Sequence, residues 1–344
     1  MTTAADAPRS APHTATTETL ADLSEGAVLG RIFPRLPTAA AQLLGPGDDA
    51  AVVSAPDGRF VVTTDMMIQG PDFRLAWSTP HDLGWKAAAT NLSDVAAMGA
   101  RPTALVVAIA APPSTPVVVL EGIADGLRDC CEALAPGCGV VGGDLSASDA
   151  LTLAVTAFGD LEGRAPVLRS GARPGDVVAH SGLLGDAGRG LELLFRLGVD
   201  ANGVPNLDRT NALKLSHPTE VAAQLTPVPP IASGPIAALA GATAMLDVSD
   251  GLAIDAGRIA RASGVGIDFD SASLGDRIEV ALGGGEDHGL LATFPPDAVL
   301  PAGFRSLGMV VAASASHAGM ITVDGAPHDQ GGWDPYRGWD GAAG

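Results

Sequence analysis

At 344 residues, 47% hydrophobic and 17% charged, the chain has the length of about two domains and excludes a disordered protein. Its formal charge of −19 argues against nucleic acid or an anionic membrane surface as partner, since both require a basic face. Forty-four glycines and 26 prolines promise many tight turns, but without a Gly-X-Y period they do not make a collagen. The only lysines are Lys86 and Lys214; neither follows a glycine, which rules out a G-x-x-x-x-G-K-[ST] phosphate loop.

Residues 1–22 read as a flexible leader, rich in Thr, Ala, Pro and Ser and lacking the apolar centre of a secretory signal. A first helix is expected from Leu23 to Phe33, before Pro34, and FVVTTD (60–65) reads as a β-branched strand ending in a carboxylate. The segment 78–102 is marked as a helix by the Thr79/Asp82 capping box, Pro80 at the first helical position, and Gly99 and Pro102 as stop signals. A buried strand (103–111), a helix (119–135), a short strand breaking into Gly-Gly (139–144) and an alternating strand (151–160) complete a first unit, 23–163. The run 104–111 is far shorter than the ~20 residues that span a bilayer, so no membrane partner is expected.

A turn-rich linker (161–176) leads into a second unit, 164–344. It shows a strand at 177–182, a helix at 187–198, a strand–turn–helix at 245–264 and a Gly-rich turn before a strand at 281–294. Cys130, Cys131 and Cys138 lack metal or disulfide spacing and read as buried free thiols of a cytoplasmic protein.

The informative residues are the aspartates. Asp48 and Asp49 fall in a Gly-Pro-Gly turn, Asp65 ends a strand, and Asp144 follows a strand through two glycines. Asp247 and Asp250 mark a strand-to-helix junction, and Asp94 lies inside an apolar helix with Asn91 one turn back. One such residue can simply cap a turn. Several together repel one another, and hard divalent cations with oxygen ligands relieve that repulsion. The run GPGDDA (45–50) mimics a dinucleotide fingerprint, but its two aspartates would repel a pyrophosphate.

Eight segments then stand in a recognisable order: GPGDDAAVV (45–53), TTDMMIQGPDF (63–73), GWKAAATNLSDVAAMGA (84–100), GGD (142–144), RSGARPGD (169–176), GDAGRGLELL (185–194), LDVSDGLAIDAG (246–257) and GGGEDHGL (283–290). In them the chain resembles the thiamine-monophosphate kinases of the aminoimidazole ribonucleotide synthetase superfamily. The resemblance implies an α/β two-domain fold, with an N-terminal domain whose sheet pairs in a homodimer and a C-terminal α/β domain. It implies ATP as co-substrate, several Mg²⁺ ions and thiamine monophosphate as acceptor. It further implies metal ligation by Asp48, Asp49, Thr63, Thr64, Asp65, Asp94, Asp144, Asp247 and Asp250, with Asp94, Asp144 and Asp250 assisting transfer. Gly143, Asp144, Arg169 and Ser249 would contact ATP, with Ile123 aligned where some members carry an aromatic beside the adenine. Glu286 and Trp333 would contact the acceptor, as would Asp72, which stands where the family often has His; His288 replaces a usual Tyr.

The acceptor would bring its own nucleophile, because a phosphate monoester has a second pKa of about 6 and is anionic at neutral pH. Charge neutralisation and positioning, rather than a general base, are then the need, and direct in-line transfer without a phospho-enzyme follows. Trp333 would suit a cationic thiazolium. The alternatives are a sister synthetase of the superfamily or a non-catalytic nucleotide- or metal-binding descendant. A selenophosphate synthetase would need a reactive Cys before Gly45, which this chain lacks.

Overall fold

The computed structural model describes residues 18–46, 50–313 and 318–328. The first unit carries α1 (Glu25–Ile32), β1 (Gln42–Leu44), β2 (Val52–Val53), β3 (Val61–Ile68), α2 (Pro80–Ala97), β4 (Arg101–Ala111), α3 (Val117–Leu134), β5 (Gly139–Ala147) and β6 (Thr152–Asp160). Strands β3–β6 form a four-stranded sheet in the order β3-β6-β4-β5, and β1 pairs only with β2. Helices α2 and α3 cover one face of that sheet, burying Met67, Leu105, Val107, Leu153 and Val155 against Leu83, Leu92, Ile123 and Leu127.

The expected cap forms: Thr79 accepts from the Asp82 amide at 3.1 Å, and Asp82 accepts from the Thr79 amide at 3.0 Å. The helix stops at Ala97 rather than 102, because Gly99 turns left-handed (φ 74°) and Arg101 already enters β4. Helices α2 and α3 approach backbone to backbone: a Cβ on Gly84 would lie 2.0 Å from the Ile123 carbonyl oxygen. Thirteen of the 18 residues of α2 are buried, so it is a core helix, and Ala fills it because nothing larger fits.

The second unit contains β7 (Val177–Ser181), α4 (Asp186–Leu197), α5 (Leu207–Ser216), α6 (Pro218–Leu225), α7 (Ser233–Leu239), β8 (Ala244–Val248), α8 (Leu252–Ser263), β9 (Gly266–Phe269), α9 (Ser271–Leu274), α10 (Ile278–Gly283), β10 (Gly289–Phe294), β11 (Phe304–Val311), β12 (Ile321–Val323) and β13 (Ala326–Pro327). Its seven-stranded sheet runs β13-β12-β9-β11-β7-β10-β8, antiparallel except where β12 meets β9. Helices α5 to α7 carry no strong periodicity and were not expected from the sequence. Helix α2 joins the two units: Trp85 donates to the Pro227 carbonyl at 2.7 Å, and Ser93 reaches Asp247 at the end of the second sheet. Cys130, Cys131 and Cys138 are buried and free. Among the described residues, no helix is long and apolar enough to cross a membrane.

Candidate active site

Two neighbouring residues of α2 face different units. The Asp94 carboxylate accepts from the Thr63 hydroxyl of β3 at 2.9 Å. The Ser93 hydroxyl donates to Asp247 of β8 at 3.0 Å. Successive helical residues lie about 100° apart around the axis, so an adjacent pair can bridge two sheets. Asp247 also meets Nδ1 of His288 at 3.2 Å.

The loop after α10 brings in Glu286 and His288. Glu286 and His288 both adopt positive φ (72° and 52°), conformations that L side chains hold only where surrounding contacts enforce them. Those contacts are Glu286 N–H to the Ser249 carbonyl at 2.8 Å and His288 N–H to the Val248 carbonyl at 3.0 Å. Gly285 must be glycine, since a Cβ there would sit 2.6 Å from the Ser249 carbonyl oxygen. Asp287 turns the other way and accepts from the amides of Gly185 and Ala187, tying this loop to the start of α4.

Electrostatics bind these groups into one cluster. Burial, then the facing Asp247, pushes Asp94 up to about 7, and the Thr63 bond pulls only partly against it. Asp65 is raised by withdrawal from solvent and by Glu286 and Asp247. Asp72 is raised likewise, with Glu286 and Asp65 as its acidic neighbours. Burial alone would raise Asp247, but the bond and charge of His288, then Ser93, hold its carboxyl below the ordinary value. Burial likewise disfavours His288 protonation, but Asp247 and Glu286 more than compensate and raise its pKa.

Thr63, Asp65, Asp94, Asp247 and Glu286 therefore converge from β3, α2, β8 and the 283–289 loop. The donors on the metal-ligand side are all oxygens, which suits a hard cation. Among the described residues no three acidic, His or Cys side chains close into a ready-made cage.

Other expected residues fall elsewhere. Asp250 is paired with Arg258 at 2.6 Å, and Asp255 accepts from the Ser249 and Asp250 amides at 3.0 Å each, shaping the turn after β8. Arg169 is exposed on the linker; its charge helps hold Asp247 down, and its carbonyl accepts from Ser263 at 3.0 Å. Asn91 donates back to the Ala87 carbonyl rather than toward Asp94. The expected adenine contact at Ile123 is corrected: its side chain is fully buried between α3 and α2, leaving no surface for a base. Asp48, Asp49 and Trp333 lie outside the described residues.

Register divides the remaining ligands. Asp65 shares a row with Val155, Val107 and Gly143 on the face covered by helices. Thr64 shares a row with Thr156, Val106 and Gly142, and Asp144 with Ala108, Ala154 and Met66, both on the opposite, open face. There the Thr64 hydroxyl donates to the Val155 carbonyl at 3.0 Å, and Asp144 accepts from Ser146 at 2.7 Å. Three strand spacings separate Thr64 and Asp144, at least roughly 14 Å, so one ion cannot bridge them within a chain. Gly143 is required where it stands, because a Cβ would lie 1.9 Å from the Val107 carbonyl oxygen.

Ser93, Arg258 and Asp255 carried no role in the sequence reading, and Lys86 entered it only as one of two lysines, too few to form a phosphate loop or to neutralise the aspartates. Ser93 stands beside Asp94, and Lys86 is one of two lysines in an acidic chain; both were visible signals.

Residues 47–161 match the family described as AIR synthase related protein, N-terminal domain, and residues 173–319 match its C-terminal domain. The chain is 44% identical to a thiamine-monophosphate kinase of Mycobacterium tuberculosis (strain CDC 1551 / Oshkosh), with 95% of each chain covered. It is 42% identical to that of Corynebacterium glutamicum, covering 84% of this chain and 88% of the relative. Among solved structures it is similar to AaThiL complexed with AMPPCP and TMP, with 32% identity, a TM-score of 0.68, and 83% and 90% of the two chains covered.

Proposed function

The chain belongs to the thiamine-monophosphate kinase family, within the AIR synthase related proteins, and from that membership we propose that it transfers the γ-phosphate of ATP to thiamine monophosphate, forming thiamine diphosphate. The observation that carries the reading is the convergence of Asp65, Asp94 and Asp247 at the junction of the two units, with Glu286 beside them. Like charges brought this close are costly unless a cation is part of the working state.

In this reading one or two of Asp65, Asp94 and Asp247, with the Thr63 hydroxyl and the substrate phosphates, would hold each Mg²⁺, which when bound screens the two anionic phosphates from each other. Ser93 and His288 orient Asp247 by taking up the same carboxylate oxygen, Oδ2, so that the other would be left for the ion. Asp94 must lose its proton before it can ligate. Arg169 and the backbone around Gly143 and Ser249 would meet ATP, while Glu286, Asp72 and Trp333 would meet the acceptor. No residue needs to abstract a proton, because the acceptor phosphate is already anionic. Transfer is direct and in line, without a phospho-enzyme.

A homodimer is part of the proposal. The open face of the first sheet exposes Val62 and Met66 and also carries Thr64 and Asp144, which are too far apart to share an ion in one chain. A second copy laid on this face would bring one chain's Thr64 toward the other's Asp144. A cytoplasmic location fits three free, buried thiols. The test is a coupled ATP-consumption assay with thiamine monophosphate and MgCl₂. Stoichiometric ADP and thiamine diphosphate are expected; ATP stable under those conditions overturns the reading.

A further inference from the structure

Lys86 projects from α2 into the acid cluster and is only 6% exposed. Its ammonium has three hydrogens and three acceptors. The Gln224 backbone carbonyl lies at 3.1 Å and the Glu286 carboxylate at 2.5 Å. The Gln224 side-chain oxygen accepts at 3.1 Å in the amide orientation that also lets its nitrogen donate to the Ala187 carbonyl. Two of the three acceptors are neutral, so the charge of this buried lysine is directed at Glu286.

Glu286 needs such an anchor. Its acidic neighbours are Asp65 and Asp72, and each repels it. Its side chain keeps 39% of its surface exposed, and the ion pair to Lys86 is its one direct side-chain contact among the described residues, with the charge of His288 acting from further off. Burial would raise the Glu286 carboxyl, but the charge of Lys86, then that of His288, holds it below its ordinary value. Lys86 itself has no hydrogen left for an incoming phosphate.

We propose that Lys86 is the positioning residue of Glu286: it pins that carboxylate, as an anion in one orientation, against the cationic or N–H-bearing part of the phosphate-ester acceptor. This rests on the reading of Glu286 as an acceptor contact. Lys86 acts on the acceptor only through Glu286, so removing it has no further effect once Glu286 is neutral.

Lys86→Met, Glu286→Gln and the double variant separate this from other roles. Steady-state kinetics are measured with ATP, thiamine monophosphate and MgCl₂, with melting temperatures alongside. Each single change is expected to raise KM for the acceptor on the order of tenfold. KM for ATP stays within about twofold, and the double variant is no worse than Glu286→Gln. Multiplying effects would make Lys86 an independent ligand and overturn the proposal. So would a lowered melting temperature with unchanged acceptor KM, which marks a merely structural cation. Lys86→Gln, which keeps a donor of similar length without the charge, replaces Lys86→Met if the latter fails to fold. Calorimetric binding of thiamine monophosphate to the same variants is the second readout. If wild type does not turn over, the parent reading has failed, and the calorimetric cycle alone decides whether the pair acts as a unit.

Discussion

Thr63 and Asp94, 31 residues apart, meet at 2.9 Å where β3 passes under α2. Among the described residues this hydroxyl is the sole hydrogen-bond donor to a carboxylate set in an alanine-rich helix, and it does not offset the burial. Asp94 is consequently held near neutrality in its titration, at about 7. The position is unfavourable for an aspartate in the protein alone, and the proposed cation would relieve it.

Asp94→Asn keeps the acceptor for Thr63 and removes the repulsion with Asp247. The metal-free variant should melt above wild type. Turnover should fall by about two to three orders of magnitude, the loss expected when a group that neutralises charge in the transition state is removed. Differential scanning calorimetry in EDTA and the coupled assay read the two effects. A variant that is active, or that is less stable than wild type, is incompatible with the ligand role.

The same residue sets a pH dependence. Asp94, at about 7, and Asp255 and Asp287, at about 6, all lie above the 3.8 of a free aspartate, so the folded state binds protons that the unfolded state has released. Their contribution is largest below pH ~4 and is lost as pH rises through the folded values. His288, raised above 6.5, loses its contribution in the same direction. Asp247 and Glu286, held low, withdraw stability only as pH falls below their free values of 3.8 and 4.5. Metal-free protein should therefore lose stability between pH 5 and pH 8, and Mg²⁺ should bind more tightly across that range with release of protons. Melting curves in EDTA and calorimetry in two buffers of different ionisation enthalpy check this; a melting temperature that climbs with pH contradicts it.

On the open face of the first sheet, Met66 is 54% exposed and shares a row with Asp144. Met66→Asp places a charge there without touching the core. Sedimentation velocity should show the proposed dimer converted to monomer, and activity should drop with it if Thr64 and Asp144 work across that interface. An unchanged dimer would place the interface elsewhere.

Gly84→Ala tests the contact that seats α2. Its Cβ would meet the Ile123 carbonyl at 2.0 Å, against backbone that cannot rotate away. The helices must part, costing about 1–3 kcal/mol. Urea denaturation should show a lower midpoint at unchanged slope, with activity reduced because Lys86, Ser93 and Asp94 ride on the same helix.

Local chemistry determined what could be read from the chain by itself. Helix α2 was legible because its cap, its first-turn proline and its glycine stop act within a few residues of one another. The acidic positions stood out because aspartate in an apolar helix or at a strand end contradicts its surroundings, and the ordered motifs carried the family. Tertiary structure decided which side each residue serves. Thr63 and Thr64 are neighbours with opposite fates, because strand register sends one to α2 and the other to the open face. Ile123 lined up with a binding position in the sequence and went to the core, because its face of α3 packs on α2. Lys86 and Ser93 acquire their partners Glu286 and Asp247 only when segments far apart in the chain are brought together. Pairing across such separations depends on packing and sheet register, which no local window of sequence contains.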